Sequence, residues 1–163
     1  MPITLRPAGP ADAEALAVLL DGFAMEIGAC PGFAAAERAR DSLRARPLLR
    51  TLLAEREGGA GKATAQAGFV MWTPAFDPVA GTAGATIAAL YVLPALRRRG
   101  IGRRLMAAVA RATKGGGGRY IAWATARNAM AARMFYDGIG APHPTTIIYS
   151  AQGEAFIDLA GEE

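Results

Sequence analysis

Apolar positions along the chain change period several times, and each change marks a predicted element. Ile3-Thr4-Leu5-Arg6 reads as a short strand, ended by Pro7 and the Gly9-Pro10 turn signal. Asp12 or a neighbour then caps a helix whose apolar residues Leu16, Leu19, Leu20, Phe23 and Ile27 recur at helical spacing. Phe33 to Arg46 predicts a second helix, polar on one face through Glu37, Arg40, Asp41 and Arg44 and stopped by Pro47. From Leu48 the period falls to two. Leu49, Thr51, Leu53 and Glu55 alternate with Leu48, Arg50, Leu52 and Ala54, and a turn follows over Glu57-Gly58-Gly59-Ala60-Gly61. Ala65 to Thr73 completes a hairpin. A loop with Pro74, Pro78, Gly81 and Gly84 leads to Thr86–Val92, an apolar strand that lacks charge on both faces and is therefore central.

After Pro94 comes a stretch of arginine and glycine, then a helix from about Ile101 to Thr113. Ile101, Leu105, Met106, Val109 and Ala112 form its inward stripe, while Arg103, Arg104 and Arg111 face outward. Gly115 to Gly118 ends it. Tyr120 to Ala124 is a strand, and Asn128 opens a helix through Tyr136, closed by Gly138 and Gly140. Thr145–Tyr149 and Ala155–Leu159 flank Gln152-Gly153-Glu154 as a final hairpin or as a strand and short helix. The order β-α-α-β-β-β-α-β-α-β predicts an α/β chain, a mixed sheet with helices on its faces, in one domain over residues 1–163.

Composition narrows the function classes. A chain of 163 residues with 52% hydrophobic and 20% charged residues has enough apolar material to offset chain entropy, which excludes disorder throughout. Cys30 is the sole cysteine, so neither a disulfide scaffold nor a Cys-rich zinc site is available, and no metal is expected. No apolar run approaches the roughly 18 residues that cross a bilayer, and Met1 to Arg6 lacks a signal-peptide layout. The expected location is the cytoplasm, with no membrane partner. The net charge is +4, and only Lys62 and Lys114 among the 18 basic residues are lysines. Sixteen arginines suit phosphate recognition, although a GC-rich genome would also spell arginine often.

Position decides between those readings. Arg97-Arg98-Arg99-Gly100-Ile101-Gly102 lies between a central strand and a helix N-terminus, where unpaired N–H groups and the positive dipole end attract anions. Without Arg97, Arg98, Arg99, Arg103 and Arg104 the balance is 13 basic to 14 acidic residues, so the excess sits at one helix entrance. That is a pyrophosphate cradle. Leu105 in place of a third glycine excludes a dinucleotide fingerprint, and neither glycine is followed by Lys and Ser or Thr as in a Walker loop. Nucleic acid is not the expected partner, because the aromatic interleaving of single-strand binders is missing and a recognition helix would not use these glycines.

The run Leu90-Tyr91-Val92-x-Pro94-x-x-Arg97-Arg98-Arg99-Gly100-Ile101-Gly102-x-x-Leu105-Met106 resembles the acetyl-CoA motif of GCN5-related N-acetyltransferases (GNATs). A second signature also fits: Ala132-Arg133-Met134-Phe135-Tyr136, then Gly138-Ile139-Gly140-Ala141. Within the family, Gly68-Phe69-Val70-Met71-Trp72, Trp123 and Gly153-Glu154-Ala155-Phe156-Ile157-x-Leu159-Ala160 look like the diamine (spermidine/spermine) acetyltransferase branch. The resemblance implies a mostly antiparallel central sheet, splayed at the cofactor site, with helices on both faces. It implies acetyl-CoA as cosubstrate, a small-molecule amine as acceptor and a homodimer through exposed strand edges. Backbone groups of Leu90, Tyr91 and Val92 would pair with the pantetheine arm. Backbone N–H groups from Arg98 through Arg99, Gly100, Ile101 and Gly102 to Arg103 would hold the pyrophosphate, with Arg97 and neighbouring side chains near the phosphates. Tyr136 would protonate the departing thiolate, and the amine would attack directly without an acyl-enzyme.

Two departures qualify the resemblance. Diamine acetyltransferases carry an acidic pair where this chain has Ala88 and Ala89. An alkyl ammonium with a pKa near 10.4 needs about 4 to 5 kcal/mol to present its free amine near pH 7. The two alanines therefore argue against a polyamine acceptor. They also leave open a catalytically silent CoA-binding sensor or interaction domain of the same fold. Asn128 stands eight residues before Tyr136 where the family pattern has seven; it either contacts CoA or, the favoured reading, caps its helix. His143, the sole histidine, between two prolines, could serve as a base but reads as an inert loop residue, and Cys30 has no recognisable partner for nucleophilic work. Glu26 and Asp77 could border an acceptor site but read as solvated carboxylates, and Met25, Met106, Met130 and Met134 as packing residues.

Overall fold

Strands β1 (Ile3–Pro7), β2 (Arg50–Arg56), β3 (Ala65–Asp77), β4 (Thr82–Val92) and β5 (Tyr120–Trp123) form one sheet in that order in the computed structural model. The first four pair antiparallel, and β5 joins β4 in parallel. Residues 2–29, 35–45, 48–57, 64–141, 151 and 153–161 are described. The expectations for Cys30, Phe33, Pro47, the glycine turn at 58–61, His143 and the strand Thr145–Tyr149 lie outside them. Two compact units are distinguished, Met1–Asn128 and Ala129–Glu163. The first holds the sheet with helices α1 (Ala13–Glu26), α2 (Ala35–Arg44) and α3 (Ile101–Gly115); the second holds α4 (Met130–Asp137) and α5 (Glu154–Ala160).

Strand alternation sends successive side chains to opposite faces. Leu53, Phe69, Met71 and Tyr91 bury against Leu16, Leu19 and Ala39 of α1 and α2. Val70, Trp72 and Ile87 take the other face, where α3 buries Ile101, Leu105, Met106 and Val109. The helical stripe read from the sequence is thus the stripe that packs, except Ala112, which is exposed.

Several boundaries move. The expected loop at 74–85 is mostly strand, because β3 continues to Asp77 and β4 begins at Thr82. Pro74 pairs with Ala85 beyond the last β2 rung at Arg50↔Trp72, where β3 has become an edge and a residue without N–H is tolerated. Asp12 precedes α1 but donates no side-chain cap to it; its carboxylate accepts the Gly9 N–H at 2.7 Å and two bonds from Arg6. The residue flanking α4 is Ala129, with no side-chain cap, so Asn128 does not cap that helix. Residues 155–159 fall in α5, the helical alternative. Met106 packs in the core, whereas Met25, Met130 and Met134 are exposed.

The outer edge of β1 is blunted. Ala8 N–H bonds the Thr51 carbonyl at 3.0 Å, and antiparallel alternation then turns the backbone groups of Ile3, Leu5 and Pro7 outward. Arg104 of α3 donates to the Ile3 carbonyl at 2.7 Å, and Pro7 has no N–H to offer. A capped carbonyl and a proline are devices that discourage strand addition.

Candidate functional site

The site is built at the C-terminal end of β4. Leu93 N–H bonds the Ala67 carbonyl at 3.0 Å, which makes 67/93 a hydrogen-bonded pair. By alternation Leu90 and Val92 sit in non-hydrogen-bonded positions, so their N–H and C=O groups point away from β3. On that side β5 pairs with β4 only from Gly84↔Tyr120 to Ile87↔Trp123. A β-bulge falls at the next residue: Trp72 pairs with Ile87 and Met71 with Ala89, leaving Ala88 as the extra residue. Bulges add local twist and end pairing. Among the described residues, Ala88 to Val92 has no strand partner on that side, and the edge splays from β5. Ala88 is exposed, and Ala89 packs against the apolar cluster under α1.

That open edge runs into the arginine–glycine loop. Pro94–Leu96 form a 3-10 turn, and the loop then passes through two left-handed residues, Arg98 at φ 61° and Gly100 at φ 76°. Gly100 tolerates this conformation; Arg98 is the described non-glycine residue forced into it, at a cost on the order of 1 kcal/mol. The N–H groups of Arg98, Arg99, Gly100, Ile101 and Gly102 meet no acceptor among the described residues, and Arg104 N–H bonds the Gly100 carbonyl at 3.0 Å to begin the helix. Several amide donors, a helix N-terminus and the exposed side chains of Arg98 and Arg99 converge there. Around Gly100 a Cβ would meet nothing within 4 Å, so the loop is open to an approaching ligand. This donor set fits a diphosphate.

The expected residues fall in different places. Leu90 and Val92 carry the outward backbone groups, whereas Tyr91 points inward: its ring is buried, 6.3 Å from Phe69, and its hydroxyl faces Gly22 of α1. Arg97 does not extend over the loop. Its guanidinium pairs with Glu26, its Nε donates to the Val92 carbonyl at 2.9 Å, and its Cζ lies 5.6 Å from the Tyr91 ring centre. Asp77 accepts the Val79 and Ala80 N–H groups at the hairpin tip. Tyr136 lies on α4, half-buried and 5.2 Å from the Phe135 ring, and Asn128 is exposed at the end of the first unit.

Sequence reasoning missed two features. One is the Glu26–Arg97 pair, joining residues 71 positions apart. The other is a network on β1, β2 and β3: Arg6 bonds Asp12 at 2.6 and 2.8 Å and Glu55 at 2.6 Å, and Gln66 donates to Glu55 at 3.0 Å. Arg6 holds both carboxyls below their ordinary range. No local pattern announces either contact, since each joins groups that only the tertiary fold brings together. Among the described residues no helix is long and apolar enough to cross a membrane, and no cluster of His, Cys, Asp and Glu could hold a metal.

Residues 23–141 match the acetyltransferase (GNAT) family. No curated protein matches the sequence. Solved structures match the fold. An integron cassette protein from the mobile metagenome of V. cholerae superposes with a TM-score of 0.80 at 18% identity, covering 99% of both chains. A ribosomal-protein-alanine N-acetyltransferase from Brucella melitensis biovar Abortus 2308 gives 0.77 at 21%, over 91% of this chain and 99% of that one. The aminoglycoside acetyltransferase AAC(6')-Iy, solved with a CoA-containing bisubstrate analogue, gives 0.74 at 20%, over 94% and 99%.

Proposed function

The chain belongs to the acetyltransferase (GNAT) family, and from that premise we propose that it transfers an acetyl group from acetyl-CoA directly to a primary amine of a small molecule. The observation that carries this reading is the unpaired edge of β4 running into unpartnered amides at the start of α3. Acetyl-CoA, when bound, supplies an acetyl thioester. The outward groups of Leu90 and Val92 would bind an amide-bearing arm as a further strand would be bound. The N–H groups from Arg98 to Arg103 would hold the diphosphate, with Arg98 and Arg99 adding charge. Tyr136 is assigned the proton donor to the leaving thiolate, and Asn128 a contact to CoA.

Relatives named for a ribosomal-protein alanine and for aminoglycosides act on unlike amines, so the fold alone leaves the acceptor open. The likeness to diamine acetyltransferases bears on ancestry. A polycation is disfavoured, because Ala88 is uncharged and Ala89 packs in an apolar cluster. The same two residues favour the second reading, a CoA-binding sensor without turnover.

Thermal unfolding with acetyl-CoA, followed by CoA release over an amine panel, tests the proposal. Saturation at about 100 Kd stabilises by about 2.7 kcal/mol, a Tm rise of roughly 5–10 °C. No rise would remove the acetyl-CoA assignment. Tyr136→Phe should lower kcat by about 10²–10⁴ with little change in CoA affinity. Binding without release on any amine would select the sensor.

A further inference from the structure

The side chain of Arg97 is turned away from the amides that follow it. Its Nε donates to the Val92 carbonyl at 2.9 Å, one Nη pairs with Glu26, and its Cζ lies 5.6 Å from the Tyr91 ring centre. The three partners come from the last rungs of β4 and the last residue of α1. A guanidinium can serve all three, because its fork donates in two directions while its face stacks. An ammonium could not.

Glu26 gives the arrangement its logic. A carboxylate at a helix C-terminus faces the unpaired carbonyls and the negative dipole end, a setting that favours cations. Arg97 supplies the missing positive charge from 71 residues away. One turn earlier, α1 already lies tight on β3 and β4: a Cβ at Gly22 would come 2.5 Å from the Tyr91 hydroxyl of β4, and Phe23 meets Phe69 of β3 edge-on at 6.2 Å. The Arg97–Glu26 pair extends that contact to the helix end. The Val92 carbonyl, on which Arg97 rests, is also the last outward acceptor of the open strand.

We propose that Arg97 is a positioning residue, acting through Glu26 and Val92 instead of on the diphosphate. It fixes the C-terminal turn of α1 to the terminal rung of β4. A ligand amide that pairs at Val92 competes with Arg97 Nε, so occupancy of the open edge is felt at the end of α1. The second half of this statement rests on the acetyl-CoA reading; the first half does not.

Amide hydrogen exchange on the whole protein separates them. The N–H groups of Ile27, Gly28 and Ala29 bond the carbonyls of Phe23, Met25 and Ala24, and report on that turn. Without cofactor, Arg97→Gln and Glu26→Gln should each speed their exchange about two- to fivefold, and the double variant no more than the larger single. Adding CoA should change exchange at the same amides in the wild type and not in Glu26→Gln. Calorimetric CoA affinity of Arg97→Gln should stay within about threefold of the wild type, with the same dependence on ionic strength. Unchanged or additive exchange in the free protein would overturn the strut, as would a tenfold loss of CoA affinity in Arg97→Gln with a flattened salt dependence. Should Arg97→Gln fail to fold, Glu26→Gln alone decides through the free-protein exchange. Failure of the wild type to bind CoA would instead count against the acetyltransferase reading, leaving the free-protein result standing.

Discussion

Gly100 occupies a left-handed position in open space, so a methyl group there meets no atom but sits on an unfavourable backbone. Gly100→Ala should cost about 1 kcal/mol of stability and weaken CoA binding by a larger factor than that strain explains, because the loop relaxes and its amides diverge. Urea unfolding and calorimetry on the same variant would measure both. Arg6 supports a prediction about pH. Its partners Asp12 and Glu55 are mostly buried, and both carboxyls are held below the ordinary range by bonds from Arg6. Their contribution is therefore complete above about pH 5.5, where the unfolded carboxyls are ionised, and disappears as pH falls through the depressed folded values. Arg6→Met removes the cation and leaves two carboxylates close together, at a cost of about 2–3 kcal/mol at pH 7. That deficit should shrink on acidification, since the orphaned carboxyls then accept protons more readily than in the wild type. Urea midpoints at pH 7 and pH 4.5 give the comparison, and a deficit independent of pH would contradict the assignment.

At the scale of elements, β3 and β4 meet backbone to backbone with no room to spare. A Cβ at Gly68 would overlap the Tyr91 carbonyl oxygen and lie 3.0 Å from the Val92 Cα. Both neighbours are backbone, so they cannot swing aside. Gly68→Ala should cost more than about 2 kcal/mol and disturb the rungs that face the open edge, lowering Tm and CoA affinity together. The sequence made some of these elements plain and hid others for a physical reason. Helix α3 was legible because Ile101, Leu105, Met106 and Val109 signal their face within a few turns of chain. The loop before it was legible because Gly100 and the arginines stand together. Pro74 misled, since its cost in a strand depends on whether a neighbour needs its N–H, and that neighbour is β2, more than 20 residues earlier. The splay was expected from the family resemblance, but its local cause was hidden: Ala88 becomes a bulge only through the register of β3 and β4.

Over the whole molecule, the arginine excess takes on two roles. Of the five arginines clustered around the loop, Arg97 is tied to Glu26 and Val92, and Arg104 caps the Ile3 carbonyl. Arg98 and Arg99 stand exposed beside the unpartnered amides. Charge counted along the sequence pointed to this loop but could not say which cations stand exposed beside its amides and which brace the sheet. The bulge has a consequence on the same scale. A sheet left to itself continues to pair, and the surplus of a single residue at Ala88 stops β5 from closing over the end of β4. Deleting Ala88 should restore an even ladder, let the two strands zip further together, and seal the slot. The shortened chain should unfold at an equal or higher temperature than its parent while losing its thermal response to acetyl-CoA. In that sense the open edge is an insertion tolerated by the sheet, and a one-codon deletion is the mutation that would exchange the proposed cofactor site for a better-paired sheet.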